Sequence, residues 1–465
     1  MISNSAVQRD INHVLHGFVE LSRHREQGAK VITGGKGVFI YDEAGTPYLE
    51  GIAGMWCTAF GFGEPELVEA ATRQLNILPY YHTLAYKTVT PAIELAEQLA
   101  ARMPMKNARI YFGLSGSEAN DFTVKMLCYY NNALGRPLKK KIISRLGGYH
   151  GATMVAASMT GIPAMHRDFD VPLPGFLHVS EPNYFKNGLP GESEAAFADR
   201  LIAEIAALIE VEGPETIAGF IAEPIMGAGG VIIPPEGYYK KLVPLLRQHD
   251  IAFIADEVIT GFLRTGNFWG CETMGFVPDT LSSAKGLTSA YQPLSAVGIS
   301  EEIYEGLVLG SQKGGYFGHG ATYSGHPVGC AVALKVLDLI ERRDMAGHVA
   351  RVSKVFLARL EKLGELPYVA QTRGRGLMGA VEFKFDPTTK AGFEPVGSFA
   401  RRIVAIAEER HHLIVRPLPG GDICAFSPPL IISEAEVNEM FDRFERALAD
   451  ACDELTAPVP MGATA

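Results

Sequence analysis

Short apolar runs alternate with helical stretches through the middle of the chain, from about residue 109 to residue 300. The β-rich runs are "RIYF", "KIISR", "AGFIAEP", "IAFIADEVI" and "LSAVGIS", and the stretches between them include "SEANDFTVKMLCYYN" and "GYYKKLVPLLRQH". Near-continuous apolar strands separated by helices are typical of a parallel or mixed sheet that is covered on both faces. The sequence therefore predicts a large α/β domain here.

The flanking regions have a different pattern. Residues 36–52 predict a hairpin whose turn contains Asp42 and Gly45, and two helices should follow, the second with Thr90 as its N-cap. After about Pro327 comes a long helix, then a compact α+β pattern. We therefore expect an N-terminal segment, residues 1–60, that contributes to a small domain, a large domain over 61–326, and a C-terminal small domain over 327–465. The last stretch, "TAPVPMGATA", should be a loose tail.

Charge and cysteine usage limit the class of partner. Fifty-two acidic against 42 basic residues give a formal charge of −10, which disfavours a nucleic acid or an anionic membrane as partner. A small molecule or a second copy of the chain is expected instead. The six cysteines stand singly, and neither a signal peptide nor an apolar run of membrane-spanning length is evident, so a reducing, cytoplasmic location is expected.

Metal binding is not expected from the sequence. No C-x-x-C pair or zinc spacing is present. The pairs His13 and His16, and His411 and His412, lack an acidic or cysteine partner at ligand spacing. Solvated or capping roles are therefore expected for these histidines.

The stretch "YFGLSGSEAN", residues 111–120, passes from a strand into a helix through small residues. Ser115, Gly116 and Ser117 would let backbone N–H groups and hydroxyls approach an anion at the helix N-terminus, which makes a good phosphate cradle. A plain N-cap, with Glu118 nearby, explains the same residues equally well. The P-loop and dinucleotide glycine motifs are absent.

Three further side chains carry chemistry that such a cradle could serve. Asp256 ends a buried strand, where it could hold a proton on a heterocyclic nitrogen or merely cap the next element. Lys285 lies in "SSAKGLTS" without a neighbouring carboxylate, and a desolvated lysine is an amine nucleophile that forms Schiff bases, although a solvated loop lysine is the default. Tyr149 in "GGYHG" could stack on a planar group or simply pack in its loop. Together these features fit pyridoxal 5′-phosphate.

With those residues identified, the sequence clearly resembles the class III (omega) aminotransferases of pyridoxal-phosphate fold type I. The resemblance covers nearly the whole chain and rests on the motifs "SGSEAN", "GGYHG", "GFIAEPI", "IADEVITGFLRTG", "AKGLTSAYQPLSAV" and "GHGATYSGHPVG". It implies a large domain with a mixed, mostly parallel seven-stranded sheet and a smaller α+β domain. Within the class, the chain looks most like the amine:pyruvate transaminases, which transfer an amino group from an amine or omega-amino acid to pyruvate.

The resemblance implies a role for each motif residue. Lys285 would be the Schiff-base lysine, Asp256 the partner of the pyridine nitrogen, and Val258 the residue on the ring face opposite Tyr149. Thr322 matches a position that reaches the phosphate of the partner subunit, so a homodimer with a shared active site, or a dimer of dimers, is implied. The residues expected to contact the cofactor are Ser115, Gly116, Ser117, Tyr149, His150, Glu223, Asp256, Val258, Lys285 and Thr322.

Substrate preference is expected from a few positions. Relatives that use 2-oxoglutarate typically carry an arginine directly after the [FY]-H-G motif, where this chain has Ala152, so pyruvate is favoured. Arg416 in "IVRPLPGGDICAF" matches a mobile arginine that binds carboxylates, with a surface arginine as the alternative. Trp56, Phe18 and Tyr149 match positions of the amine pocket.

Two positions depart from the family pattern. Leu114 replaces a common asparagine, and Gly17 replaces a common proline and loosens the segment that carries Phe18.

Other functions stay open as alternatives. Taurine- or 2-oxoglutarate-dependent aminotransferases, decarboxylases and aminomutases share the chemistry of Lys285 and Asp256. The S-x-x-K pattern ending at Lys285 matches serine acyl-enzymes only weakly, because their other motifs are absent. A binding module without catalysis is disfavoured by the intact lysine, aspartate and phosphate loop.

Overall fold

The computed structural model describes residues 5–456; the first residue of the expected tail, Thr456, ends the last helix, and residues 457–465 lie outside this range. The strands of the described part are β1 Ile32–Lys36, β2 Phe39–Asp42, β3 Pro47–Glu50, β4 Arg109–Gly113, β5 Lys141–Arg145, β6 Phe176–Val179, β7 Ile217–Ala222, β8 Ala252–Asp256, β9 Thr280–Ser283, β10 Ser295–Ile299, β11 Val369–Arg375, β12 Met378–Phe383, β13 Leu413–Ile414, β14 Arg416–Leu418 and β15 Ile423–Phe426.

The helices of the same range are α1 Ala6–His13, α2 Leu21–Gln27, α3 Ala53–Trp56, α4 Pro65–Ile77, α5 Thr90–Ala100, α6 Gly116–Ala133, α7 Met154–Met159, α8 Tyr184–Asn187, α9 Glu194–Glu212, α10 Tyr238–Gln248, α11 Gly270–Met274, α12 Glu301–Gly314, α13 Pro327–Arg342, α14 Met345–Lys362, α15 Ser398–His411 and α16 Glu434–Thr456. Short 3₁₀ turns lie at Pro163–Met165, Pro214–Thr216, Lys285–Leu287 and Leu363–Glu365.

The largest sheet in residues 5–456 has seven strands in the order β4-β10-β9-β8-β7-β5-β6. The pairs β9/β8, β8/β7, β7/β5 and β5/β6 are parallel, whereas β10 runs antiparallel to both β9 and β4. All six residues of β7 are buried, as expected for a strand covered on both faces. The predicted mixed, mostly parallel seven-stranded sheet is confirmed.

Two four-stranded sheets surround this core. The first has the order β1-β2-β3-β13, and the second β11-β12-β15-β14. Strands β2 and β3 form the predicted hairpin, whose turn is fixed by the Asp42 carboxylate, which accepts hydrogen bonds from the N–H groups of Ala44 and Thr46. Strand β13 pairs in parallel with β3. The N-terminal segment therefore shares a sheet with a strand from the C-terminal part of the chain.

One local expectation was wrong, and one strand was not foreseen. Helix α5 begins at Thr90, its N-cap is Val89, and no side chain caps it, because Pro91 is tolerated within the first turn and does not require Thr90 outside it. Strand β9 was not among the predicted strands, because apart from Leu281 its residues carry hydroxyls. It is nevertheless fully buried between β8 and β10, and the Ser283 hydroxyl donates to the carbonyl of Ala296.

None of the helices described between residues 5 and 456 combines the length and hydropathy required to cross a membrane.

Candidate active site

The predicted site residues lie where parallel strands of the seven-stranded sheet end. Ser115 follows β4, Tyr149 follows β5, Glu223 follows β7, Asp256 is the last residue of β8, and Lys285 comes two residues after β9. Since the carboxyl ends of parallel strands meet at one edge of a sheet, the topology gathers these five residues there. This edge is the usual place for a ligand in an open α/β fold.

Lys285 occupies a strained position and lacks an ionic partner. Its φ is +46°, a left-handed conformation that is uncommon outside glycine, and it starts a 3₁₀ turn. Among residues 5–456, no carboxylate oxygen lies within 4.0 Å of its amine. Burial lowers the pKa of the Lys285 amine, against the opposing effects of Cys57 and Asp256. The side chain is therefore an amine that gives up its proton more readily than an ordinary lysine.

Asp256 is held by three hydrogen bonds that fix the direction of its carboxylate. Its Oδ2 lies 2.8 Å from Nδ1 of His150 and accepts a bond of 2.8 Å from the amide of Asn120. Its Oδ1 accepts from the backbone N–H of Val258 at 3.1 Å. Since Asp256, His150 and Asn120 are all buried, this carboxylate is pre-oriented without any help from solvent.

Sequence analysis missed Asn120. The same amide nitrogen also donates to the carbonyl of His150 at 2.7 Å, so Asn120 ties the aspartate to the "GGYHG" loop. The signal was present, because Asn120 ends the motif "SGSEAN" and lies one helical turn beyond Gly116 on α6. His150 was expected to contact the cofactor. The structure places its Nδ1 on Asp256, which makes it a positioning residue for that carboxylate.

The start of α6 combines the N-cap with the features of an anion site. The Ser115 hydroxyl accepts from the N–H of Glu118 at 3.2 Å, and the Ser117 hydroxyl accepts from the N–H of Ala152 at 3.1 Å. A hydroxyl that accepts still has its own hydrogen to donate. Both serines therefore retain a donor for an anion at the N-terminus of an 18-residue helix. The N-cap and phosphate interpretations are compatible.

Gly116 and Val258 bring the anion site and the Asp256 loop into contact. A Cβ on Gly116 would lie 2.9 Å from both Cγ atoms of Val258. That distance is too short for two carbon atoms, and a valine side chain has little freedom to move away. Glycine at this position therefore allows Val258 to lie directly against the first turn of α6.

Glu223 anchors the loop that carries Tyr149. Its Oε1 accepts from the backbone N–H of Tyr149 at 3.0 Å, and its Oε2 accepts from Gly227 at 2.8 Å. Burial raises the pKa of Glu223, and the two backbone donors oppose that effect. Burial also raises the pKa of the half-buried Tyr149, while the positive charge of Arg416 opposes it. The charge of Arg416 thus acts on the Tyr149 hydroxyl.

Arg416 begins β14 and is half-buried, with its Nη1 against the sulfur of Met55. Burial lowers the pKa of this guanidinium, and Tyr149 acts in the opposite direction. Trp56, next to Met55, is only 4% exposed and packs in an apolar cluster that includes Ile259. The alternative of a purely surface arginine does not describe Arg416, and Met55 is a neighbour that sequence analysis did not identify.

Phe18 and Thr322 were expected in the site, and both are exposed in this chain. Phe18 is 74% exposed, so it does not pack against the site here. Thr322 lies on an exposed turn, and its carbonyl accepts from the hydroxyl of Tyr80 at 2.8 Å. Both residues are exposed in the single chain.

His16 and His411 each have an acidic partner in the structure that sequence spacing did not indicate. Nε2 of His16 lies 2.9 Å from Oδ1 of Asp10, and Nε2 of His411 lies 3.0 Å from Oδ2 of Asp450. Asp450 is 39 positions from His411 in sequence, and Asp10 is six positions from His16, across the end of α1. Neither spacing matches a ligand motif, which is why the pairs were not foreseen.

The residues at this edge fit pyridoxal phosphate on chemical grounds. A helix N-terminus with two hydroxyl donors suits a phosphate, and a buried, pre-oriented carboxylate suits a protonated ring nitrogen. A lysine with lowered pKa suits an aldehyde. The fold and the site thus define a class of enzyme that handles amines through an aldehyde-bearing aromatic cofactor.

Comparison with known proteins agrees with that class. The profile of the family described as aminotransferase class-III matches residues 21–448. A probable gamma-aminobutyrate transaminase 2 of Oryza sativa subsp. indica is 45% identical over 419 residues, covering 90% of this chain and 84% of the relative. A diaminobutyrate–2-oxoglutarate transaminase of Halomonas elongata is 40% identical over 455 residues, covering 97% of each chain.

Among solved structures, the omega transaminase from Pseudomonas jessenii in complex with PMP superposes with a TM-score of 0.95 and 46% identity, covering 97% of this chain and 99% of that one. The chain belongs to the class-III aminotransferases. Membership of this family, together with the PMP-bound neighbour, implies pyridoxal or pyridoxamine phosphate as cofactor.

Proposed function

We propose that this aminotransferase moves an amino group from a primary amine, diamine or omega-amino acid to pyruvate, giving alanine and an aldehyde or ketone. The observation that carries the proposal is the Lys285 amine, which has a lowered pKa and no carboxylate within 4.0 Å in the described part of the chain. A paired surface lysine would serve neither as nucleophile nor as base.

Each side chain has a task that follows from its contacts. Pyridoxal phosphate supplies, when bound, an aldehyde that reacts with amines and a ring that takes up electrons. Lys285 would bind that aldehyde, and its amine would serve as the base for the proton on the substrate carbon. Asp256, whose direction is fixed by His150 and Asn120, would hold a proton on the ring nitrogen. Ser115, Ser117 and the N-terminus of α6 would hold the phosphate.

Pyruvate as the acceptor is supported by two positions. Ala152 supplies no charge next to the "YHG" motif, and its backbone N–H is engaged by Ser117. Arg416, near Tyr149, is the guanidinium available to a small carboxylate. An aromatic ring beside that arginine leaves room for an apolar amine in the other half-reaction.

A second candidate is a 4-aminobutyrate or diaminobutyrate aminotransferase that uses 2-oxoglutarate. The name of the Halomonas relative includes both diaminobutyrate and 2-oxoglutarate, and the name of the rice relative supports only the 4-aminobutyrate donor. In that case the donor would carry its own carboxylate, and Arg416 would bind the donor and the acceptor in turn. Decarboxylation and amino-group migration have no comparable support.

Product analysis separates the two candidates. The holoenzyme is incubated with putrescine, β-alanine, 4-aminobutyrate or an aryl-alkyl amine, each with pyruvate or 2-oxoglutarate, and alanine and glutamate are quantified. We expect alanine to exceed glutamate with every donor that reacts. An Ala152→Arg variant should shift the ratio toward glutamate, since it adds a carboxylate partner to an exposed position. Glutamate as the main product of the unmodified enzyme would reject pyruvate as acceptor.

We also propose that two chains share each active site, with Thr322 of one chain completing the phosphate site of the other. The support is that Thr322 is exposed and lies on a turn without a hydrogen bond to the Lys285 region. Coexpression of a Lys285→Ala chain with a Thr322→Asp chain tests this. Mixed dimers should regain activity, because one of their two sites combines an intact Lys285 with an intact Thr322. Activity no higher than that of either variant alone would reject the shared site.

We also propose that the protein is located in the cytoplasm. Cys57, Cys128, Cys271, Cys330 and Cys424 are free thiols, which supports a reducing compartment such as the cytoplasm.

A further inference from the structure

Asp10, His16 and His24 converge at the N-terminus, away from the site around Lys285. Asp10 lies on α1, His16 on the segment between α1 and α2, and His24 on α2. Nε2 of His16 is 2.9 Å from Oδ1 of Asp10, and Nε2 of His24 is 2.9 Å from Oδ2 of the same carboxylate. The ligand atoms of the three residues all lie within 4.8 Å of one another.

We propose that Asp10, His16 and His24 form a binding site for a divalent transition metal, with Zn²⁺ as the ion that best matches the donor set. Two imidazole nitrogens and one carboxylate oxygen are a common set of three protein ligands for zinc, and the fourth position is left to water. Around a tetrahedral Zn²⁺ with bonds of about 2.0–2.2 Å, such atoms stand roughly 3.3 Å apart. The two nitrogen–oxygen separations of 2.9 Å would need to open by only a few tenths of an ångström, and the two nitrogens lie within 4.8 Å of each other.

The directions of the rings support a ligand function over a chance contact. Both histidines turn Nε2, the nitrogen farther from the backbone, toward one carboxylate. Their ring centroids are 4.3 Å apart at an interplanar angle of 43°. As hydrogen-bond donors the two imidazoles share a single acceptor group, whereas a metal ion would use a lone pair from each of the three residues.

Burial increases from one side of the cluster to the other. The side chain of His24 is 7% exposed, that of Asp10 20%, and that of His16 29%. The ion would thus enter on the side of His16, where a water molecule can complete the coordination. The buried His24 would be the ligand with the most fixed position. This arrangement keeps one position open to solvent.

The surrounding structure gives the ion a stabilising task. No residue of α1 is buried, and in α2, as described, the buried residue is His24 itself. Leu15 and Phe18, between the two helices, are also exposed. A segment without an apolar core of its own needs another cross-link, and a metal ion that joins α1, the connecting segment and α2 supplies one. The ion would hold residues 14–20 in place.

Metal analysis of the tag-free holoenzyme tests this site independently of aminotransfer. After dialysis against buffered Zn²⁺, we expect one zinc per chain by mass spectrometry. His16→Gln and Asp10→Asn should each lower the zinc affinity by more than the about 100-fold that loss of an outer hydrogen-bond partner costs. His13 is an exposed histidine on α1, the helix that carries Asp10. The matched control is therefore His13→Gln, which should retain the ion. These variants avoid the buried His24, whose replacement could disturb folding.

Cobalt substitution reports the ligands directly. Co²⁺ in the unmodified holoenzyme should give the d–d bands of a four-coordinate site with nitrogen and oxygen ligands, and His16→Gln should abolish them. Zinc that binds equally well to the unmodified enzyme and to both ligand variants would place the ion elsewhere and overturn the proposal. Failure of the unmodified enzyme to bind either metal would show that the three residues form only a hydrogen-bonded cluster.

Discussion

The Asp256 carboxylate and the His150 imidazole lie 2.8 Å apart, Oδ2 to Nδ1, in a region from which solvent is excluded. Nε2 of the same ring is buried without a hydrogen-bond partner among the described residues. His150 therefore acts on Asp256, and under the proposed function it would influence the ring nitrogen of the cofactor through that carboxylate.

Replacing His150 should weaken the action of Asp256 selectively. A hydrogen bond to a charged group is worth about 1.5–3 kcal/mol, so we expect His150→Ala to lower kcat by roughly 10–100-fold. Asparagine places an N–H near the position of Nδ1, and His150→Asn should recover most of that loss. Steady-state kinetics at saturating cofactor measures both. Equal loss in the two variants would show that the ring has a packing role only.

Gly116 and Val258 should behave as a coupled pair. A methyl group on Gly116 would collide with both Cγ atoms of Val258, and overpacking of this kind costs about 1–3 kcal/mol. We expect Gly116→Ala to weaken cofactor binding and Val258→Ala, made in the same chain, to restore part of it. Cofactor titration of the two single variants and the double variant measures the coupling. Strict additivity would contradict the contact.

Removal of Arg416 should affect the keto acid more than an apolar amine. A hydrogen bond to a charged group is worth about 1.5–3 kcal/mol. Because Arg416→Met removes such a bond to the carboxylate, we expect it to raise KM for pyruvate roughly 10–100-fold. The half-reaction with an aryl-alkyl amine should change little. Arg401→Met, an exposed arginine on α15, serves as the control. An equal rise in KM for amine and pyruvate would argue against a carboxylate-binding role.

The lowered pKa of Lys285 predicts how the stability of the cofactor-free protein depends on pH. Below the folded-state pKa, the amine is protonated in both states and its burial is a constant cost. Between that pKa and the ordinary value of 10.5, only the unfolded chain binds the proton, so the cost falls by about 1.4 kcal/mol per pH unit as pH rises.

Lys285→Met should therefore be more stable than the unmodified apoprotein near neutral pH, and the difference should shrink as pH approaches 10.5. Urea unfolding over a pH series measures the free energy of unfolding of both proteins. A difference that stays constant or grows with pH would mean that the amine is not desolvated in the folded state.

Much of the fold was predictable because apolar periodicity marks the strands of the large sheet. Strand β7 is apolar throughout, and β8 ends in Asp256 after a run of apolar residues. Strand β9 was not predictable, because three of its four residues carry hydroxyls and only its neighbours in the sheet bury them. Helix α5 shows the usual uncertainty of element ends.

The candidate site was likewise predictable only in part. Lys285, Asp256 and the serines of α6 were predicted from local motifs. Asn120 and Met55 were not, because their roles depend on contacts with His150 and Arg416, far away along the chain. The cluster of Asp10, His16 and His24 likewise depends on how α1 and α2 are oriented, and sequence spacing does not reveal that orientation.

The central claim is that the Lys285 amine carries the transfer of an amino group to pyruvate. The visible absorption spectrum of the holoenzyme tests it, recorded first alone, then with an amine donor, then after addition of pyruvate, beside a Lys285→Ala variant. The account predicts a yellow enzyme that loses its visible band with the amine and regains it with pyruvate, while the variant does not complete this cycle. A variant that completes the cycle at the rate of the unmodified enzyme, or an unmodified protein that stays colourless with added pyridoxal phosphate, would contradict it.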